Sequence, residues 1–178
     1  LWVWSAFNER RDIDFNSFVW TRPGGNVVID PLPMSAHDRA HLQKLGGAAW
    51  VVVTNSDHVR ATAEVAAAFG AKIAGPAAER AKFPIACDAW LSERESLFDW
   101  RVYDLDGSKT HGELALLLDG TTLITGDLVR AHRAASLMML RADQGLADDA
   151  AARESVARLA VLPHLEAVLV GDGWCLFC

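Results

Sequence analysis

The residues most ready to do chemistry are Asp57 and His58, in the stretch Thr54-Asn55-Ser56-Asp57-His58. A carboxylate beside an imidazole can ligate a metal, move a proton or orient another group. The run before them, Ala49-Trp50-Val51-Val52-Val53, is apolar throughout, as a strand buried on both faces requires. The run after them is alanine-rich and stops at Gly70, so a helix is predicted over Asp57–Phe69. A pair mounted at a strand-to-helix turn is held by rigid elements yet open to a ligand.

Other residues of similar chemistry carry weaker patterns. His37 and His41 stand four apart on one helical face, a zinc-compatible spacing with no third ligand in view, so both are expected on the surface. Cys175 and Cys178 form a C-x-x-C without the second pair that a zinc knuckle needs. Cys87 lies among apolar residues and is expected as a buried thiol. Arg130, in Val129-Arg130-Ala131-His132-Arg133, has the fork geometry to bind a substrate carboxylate or phosphate, or to pair with nearby acids. His111 is expected to face solvent. Of the seven tryptophans, Trp2, Trp4, Trp20, Trp50 and Trp100 fall in strand-like runs and are expected in cores or on sheet faces, whereas Trp174 could wall a pocket.

The elements that must position these residues alternate regularly. Strands are predicted at Trp2–Ala6, Phe15–Thr21, Asn26–Asp30, Trp50–Val53 and Lys72–Ala74. Between them, Ser35 caps a helix running to Leu45, and Pro76 opens one running to Lys82. In the second half, strands are predicted at Trp100–Leu105, Glu113–Leu118, Thr121–Thr125 and Glu166–Val170, with a helix at Asp149–Leu159. Asp119-Gly120 marks a hairpin. Two strand-rich halves with helices outside, and no low-complexity linker, predict one α/β domain over 1–178.

Composition narrows the function. The net charge of −6 and the lack of a basic run argue against a nucleic-acid surface. No apolar stretch reaches the roughly 20 residues that span a bilayer, and no signal-like start is present. With three cysteines and no disulfide framework, a reducing cytoplasm is expected.

The motifs taken together resemble the metallo-β-lactamase superfamily, over nearly the whole chain from Asn26-Val27-Val28-Ile29-Asp30 to Val170-Gly171-Asp172-Gly173. The resemblance implies an αββα sandwich of two packed mixed sheets, with site residues gathered from loop tips at one edge. In that family the strand-to-helix turn reads His-x-His-x-Asp-His. Here Val53 and Asn55 replace the first two histidines, while Asp57 and His58 remain. Lys109, in Ser108-Lys109-Thr110-His111, stands where a third histidine is usual. The bridging aspartate matches Asp127 in Thr125-Gly126-Asp127-Leu128. Asp172 stands in place of the last histidine. The resemblance therefore implies that the first metal's ligands are lost, while Asp57, His58, Asp127 and Asp172 could hold one metal.

Charge then makes a specific expectation. Carboxylates of Asp57, Asp127 and Asp172 brought close together would repel by about 4 kcal/mol per pair at an effective dielectric near 20. Lys109 and one divalent ion would cancel the three charges. The oxygen-rich donor set admits Zn, Mn, Fe or Mg. The expected function is a metal-dependent hydrolase of an ester-, thioester-, amide- or phosphoester-type small molecule with at most one metal. In it Asp127, Lys109 and Asp57 are catalytic, and Asn55, Lys109, Arg130 and Trp174 bind substrate. The alternative is a non-catalytic protein of the same fold, binding a small ligand or partner at a metal-free Lys/Asp cluster. No nucleic-acid or membrane partner is expected, and homo-oligomerisation is left open.

Overall fold

The computed structural model describes every residue from Leu1 to Cys178. β1 (Trp2–Asn8) and β2 (Ile13–Trp20) form a long antiparallel hairpin, and β3 (Val27–Ile29) returns beside β2 after the Pro23-Gly24-Gly25 turn. Next come α1 (Ala36–Lys44), β4 (Trp50–Val52), α2 (Thr62–Phe69), β5 (Lys72–Pro76) and β6 (Ala89–Leu91). The strands from β3 to β6 pair in parallel; α1 and α2 are the crossovers for the first two pairs, and a segment with a single 3-10 turn joins β5 to β6.

The second half opens with an antiparallel meander of β7 (Arg101–Leu105), β8 (Glu113–Leu118) and β9 (Thr122–Thr125). A separate hairpin of β10 (Val129–Arg133) and β11 (Ser136–Met139) follows, then α3 (Asp149–Ala160). β12 (Ala167–Val170) lies parallel to β9, and β13 (Leu176–Phe177) closes the sheet, whose order is β13-β12-β9-β8-β7.

The two mixed sheets pack face to face through Phe18, Ile29, Val52, Leu116, Ile124 and Leu169, and Trp20 stacks on Trp100 with ring centroids 5.4 Å apart. Leu42 of α1 and Val65 and Ala66 of α2 cover the outer face of the first sheet. Ala152 and Leu159 of α3 cover that of the second. This is the αββα sandwich expected from the sequence.

Local differences have local causes. The helix expected from Asp57 starts only at Thr62. Ser56–His58 form a single 3-10 turn, and Arg60 breaks the path with φ 39. The helix expected from Pro76 to Lys82 is one 3-10 turn, Ala77–Glu79; Phe83-Pro84 follows, and the residue before a proline resists helix. β6, β10, β11 and β13 have no counterpart in the sequence reading. They are short, and Arg130, His132 and Arg133 hide the apolar signal of β10. Trp20 and Trp100 are buried, but Trp2 is 47% exposed because β1 is a sheet edge. Cys87 is half-buried rather than buried. Cys175 packs against the inter-sheet core, whereas Cys178 lines an apolar groove under α3. Three residues apart across a short strand, they face opposite sides, which removes the C-x-x-C as a ligand pair. No helix is long and apolar enough to cross a membrane.

Candidate functional site

Four strands end at one edge of the sandwich, and each delivers a polar side chain there. Asp30 follows β3, Thr54 to His58 follow β4, Asp127 follows β9, and Asp172 follows β12. Lys109 arrives from the loop between β7 and β8. The edge opens into a cleft of about 800 Å³, with Asp57, His58, Arg60, Lys109, Asp127 and Asp172 in its wall.

His58 is buried, and Asp30 sets its orientation. Asp30 Oδ1 accepts the Thr54 N–H at 2.7 Å, and Oδ2 accepts the Thr54 hydroxyl at 2.6 Å and faces His58 Nδ1 at 2.7 Å. His58 Nε2 lies 3.5 Å from Asp127 Oδ2 and 3.2 Å from an Arg60 guanidinium nitrogen. Burial alone would depress the imidazole, and Arg60 acts in the same direction, but Asp30 and Asp127 outweigh both and raise its pKa to about 10. Gly171 makes room for this ring: a Cβ there would come within 2.6 Å of His58 Cε1.

Asp127 is the hub. Its Oδ1 accepts from Arg130 at 2.8 Å, and its Oδ2 lies 2.9 Å from Lys109 Nζ. Burial would raise its pKa, yet His58 and Lys109 hold the carboxyl far below the usual carboxylate range. Lys109 also reaches Asp57 Oδ2 at 2.8 Å. Burial opposes its charge, but the two aspartates raise its pKa nevertheless.

Asp172 sits apart from Lys109. It faces Arg60 at 3.5 Å, Arg130 at 3.7 Å and Arg11 at 4.0 Å. The expected charge balance of one lysine and one divalent ion therefore left out three arginines. Asp57 points to Lys109 and is half exposed, whereas donor atoms of His58, Asp127 and Asp172 all lie within 4.8 Å of one another.

The remaining site residues named from sequence scatter. Arg130 is buried behind the cleft floor rather than presented to it. Asn55 is buried, accepts the Asp57 N–H at 3.0 Å and does not line the cleft. Trp174 is 60% exposed and stands beside Trp2 and Val3 on another face. His37, His41 and His111 are exposed.

Sequence reasoning missed Asp30, Arg60, Arg11 and Glu113. Glu113 is buried; it accepts from Ser108 at 2.5 Å and from the Leu128 N–H at 2.7 Å, so one carboxyl ties the Lys109 loop to the Asp127 loop. Burial and the charge of Asp127 raise its pKa to about 7. Its one sequence signal was an acid opening an otherwise apolar strand, Glu113-Leu114-Ala115-Leu116.

The donor set does not fit two metals, because Val53, Asn55 and Lys109 offer the first position no ligand set. The second position has convergent donors, and no directed hydrogen bond reaches Asp127 Oδ2 or Asp172 Oδ1. Arg60, Arg130 and Lys109 nevertheless stand against those same donors, and they would have to withdraw before a cation could enter.

An αββα sandwich with a polar constellation at the carboxyl ends of its inner strands defines the class. The metallo-beta-lactamase superfamily model matches residues 1–178, and the chain belongs to that superfamily, whose members are generally metal-dependent hydrolases. No curated protein matches the chain. Among solved structures it is similar to TTHA1623 in a di-iron-bound form (TM-score 0.75, 23% identity, covering 98% of this chain and 94% of that one). It is also similar to the metallo-beta-lactamase FIM-1 from Pseudomonas aeruginosa in a mono-zinc form (TM-score 0.73, 15% identity, 98% and 84%). ETHE1 from Myxococcus xanthus is a third (TM-score 0.66, 18% identity, 98% and 76%). At these identities the likeness is one of fold.

Proposed function

We propose that this chain recognises a small molecule in the cleft above Lys109, with side-chain cations standing where its relatives place metals. The pairing of Asp127 carries the reading. One of its oxygens takes Arg130 and the other takes Lys109, so the residue that would bridge two metals instead bridges two protein cations. The arrangement suits binding: Lys109 is held by two aspartates while part of its side chain stays open to the cleft, ready to meet a ligand oxygen. The test is metal content by plasma mass spectrometry, on protein produced with Zn, Fe and Mn supplied and purified without chelator. Well under one equivalent is expected, both in the parent and in Asp127→Asn. A full equivalent in the parent that disappears in the variant would refute the reading.

A second reading draws support from the three converging donors and the two carboxylate oxygens that lack directed hydrogen bonds. In it His58, Asp127 and Asp172 hold one Zn, Mn, Fe or Mg ion. Such an ion would supply Lewis-acid chemistry for hydrolysis of an ester, thioester, amide or phosphoester. Lys109 would then steady developing negative charge on the substrate. The same metal measurement decides between the two.

A further inference from the structure

The cleft has a roof as well as a floor. The β1–β2 hairpin carries Arg10 and Arg11 at its tip, and both line the cleft together with Asn8 and Phe15. On the floor, Arg60 is already engaged: it donates to the carbonyls of Asn16 at 2.8 Å and Asp30 at 3.3 Å and faces Asp172. Lys109 is shared between Asp57 and Asp127. The hairpin cations are not committed in this way. Arg10 enters no ion pair, and the one ion pair of Arg11 is with Asp172 Oδ2, at 4.0 Å, with more than half its side chain exposed. The guanidiniums of Arg11 and Arg60 lie 5.7 and 5.4 Å from the Phe15 ring centroid, so one aromatic ring brings a roof cation and a floor cation together at the mouth.

The charge count favours an anion. Asp57, Asp127 and Asp172 line the cleft against Arg10, Arg11, Arg60 and Lys109, with Arg130 directly behind, while His58 and the buried Asp30 pair at 2.7 Å and cancel each other. Glu64, the remaining acid in the wall, is neutralised by Arg39 at 2.7 Å. A chain of net charge −6 thus concentrates a positive surplus in its largest cleft.

The geometry points to a small molecule bearing a carboxylate or phosphate group, gripped between Arg10 and Arg11 of the hairpin while the rest of the ligand extends toward Lys109. This rests on the reading of the cleft as a ligand site and names the chemical class it takes. Guanidinium forks match both oxyanions, so the two sources share one recognition chemistry.

The experiment is calorimetric titration of the full chain with inorganic phosphate and, separately, with succinate at matched ionic strength. Parent, Arg10→Gln/Arg11→Gln and the control Arg101→Gln, an exposed arginine on β7, are compared. Saturable binding of at least one probe is expected, about tenfold weaker or worse in the double variant, equivalent to about 1.4 kcal/mol or more, and unchanged in the control. Binding of phosphate alone assigns a phosphorylated ligand, and binding of succinate alone assigns a carboxylate. No saturable binding of either probe, or equal weakening in the control, overturns the proposal. The substituted arginines are exposed at a hairpin tip, so the fold is not at risk, and unchanged melting curves confirm it. Metal content measured on the same samples separates the two readings. A full equivalent of metal with hairpin-dependent anion binding overturns the metal-free cluster alone, whereas no metal and no anion binding overturns this proposal alone.

Discussion

Lys109→Met tests the proposal that an ammonium does structural work between Asp57 and Asp127. Methionine keeps the unbranched apolar stem to Cε and removes the charged nitrogen. Asp127 is almost wholly buried and would lose the partner at 2.9 Å. Removing one partner of a buried pair costs about 3–5 kcal/mol. Here Arg130 and His58 stay beside Asp127, and the Asp57 arm is half exposed and worth about 1 kcal/mol at most. We therefore expect a loss of about 2–3 kcal/mol, or roughly 5–10 °C in melting temperature for a chain of this length. The pH dependence follows from the shifts. Asp127 has a depressed pKa, so its contribution is present above the unfolded value near 3.9 and fades as pH falls through the folded one. Lys109 has a raised pKa, so its contribution is present below about 10.4 and fades as pH rises through the folded value. The deficit of the variant is thus full between about pH 4 and pH 10 and shrinks outside that window. Urea unfolding of both proteins at neutral pH measures it, and because Asp127 stays ionised in the folded chain well below the usual carboxylate range, the deficit should persist into mild acid. Equal stability at neutral pH would refute the reasoning.

Two further predictions concern the support of this centre. Glu113 has a folded pKa raised to about 7, so it binds its proton more tightly in the folded chain and should erode stability as pH rises from about 4.3 to 7. Glu113→Gln should flatten that slope in urea unfolding, and an unchanged slope would place the titration elsewhere. Gly171→Ala should cost about 1–3 kcal/mol, because its methyl group meets the His58 ring at 2.6 Å. A calorimetric melting temperature equal to the parent's would show that the ring can yield.

The fold was legible because its strands advertise themselves. Val51–Val53 and Leu114–Leu118 are apolar without interruption, and the caps at Ser35 and Gly70 sit at the ends that the structure gives α1 and α2. Loop-borne geometry was not legible. Asp30 and Arg60 both adopt positive φ, 50 and 39, and nothing in their neighbours' types announces it. Such conformations cost energy in non-glycine residues and persist only where contacts hold them, here the Arg60 bond to the Asp30 carbonyl and the Ala61 N–H bond to the Pro31 carbonyl. Spacing alone also cannot tell an arginine that faces a cleft from one that lies behind it. The sequence suggested Arg130 as a ligand-binding group, but Asp127, three residues away, captures it first.

The arginines also explain how so many acids stand together at one edge of the sandwich. Buried carboxylates with no counter-charge would take up protons or unfold the loops that carry them. If a single divalent ion supplied the balance, substituting Lys109 alone would suffice, and the site would need no other cation. Instead Asp172 faces three guanidiniums, and Asp127 faces one guanidinium and one ammonium. Each comes from a different element: the β1–β2 hairpin, the turn before α2, the β7–β8 loop and β10. Such a distributed set neutralises the acids with groups that are covalently part of the chain and cannot dissociate. On the reading proposed above, a cleft balanced in this way would hold its shape without an ion, and Arg10, which enters no ion pair, is left to meet a ligand.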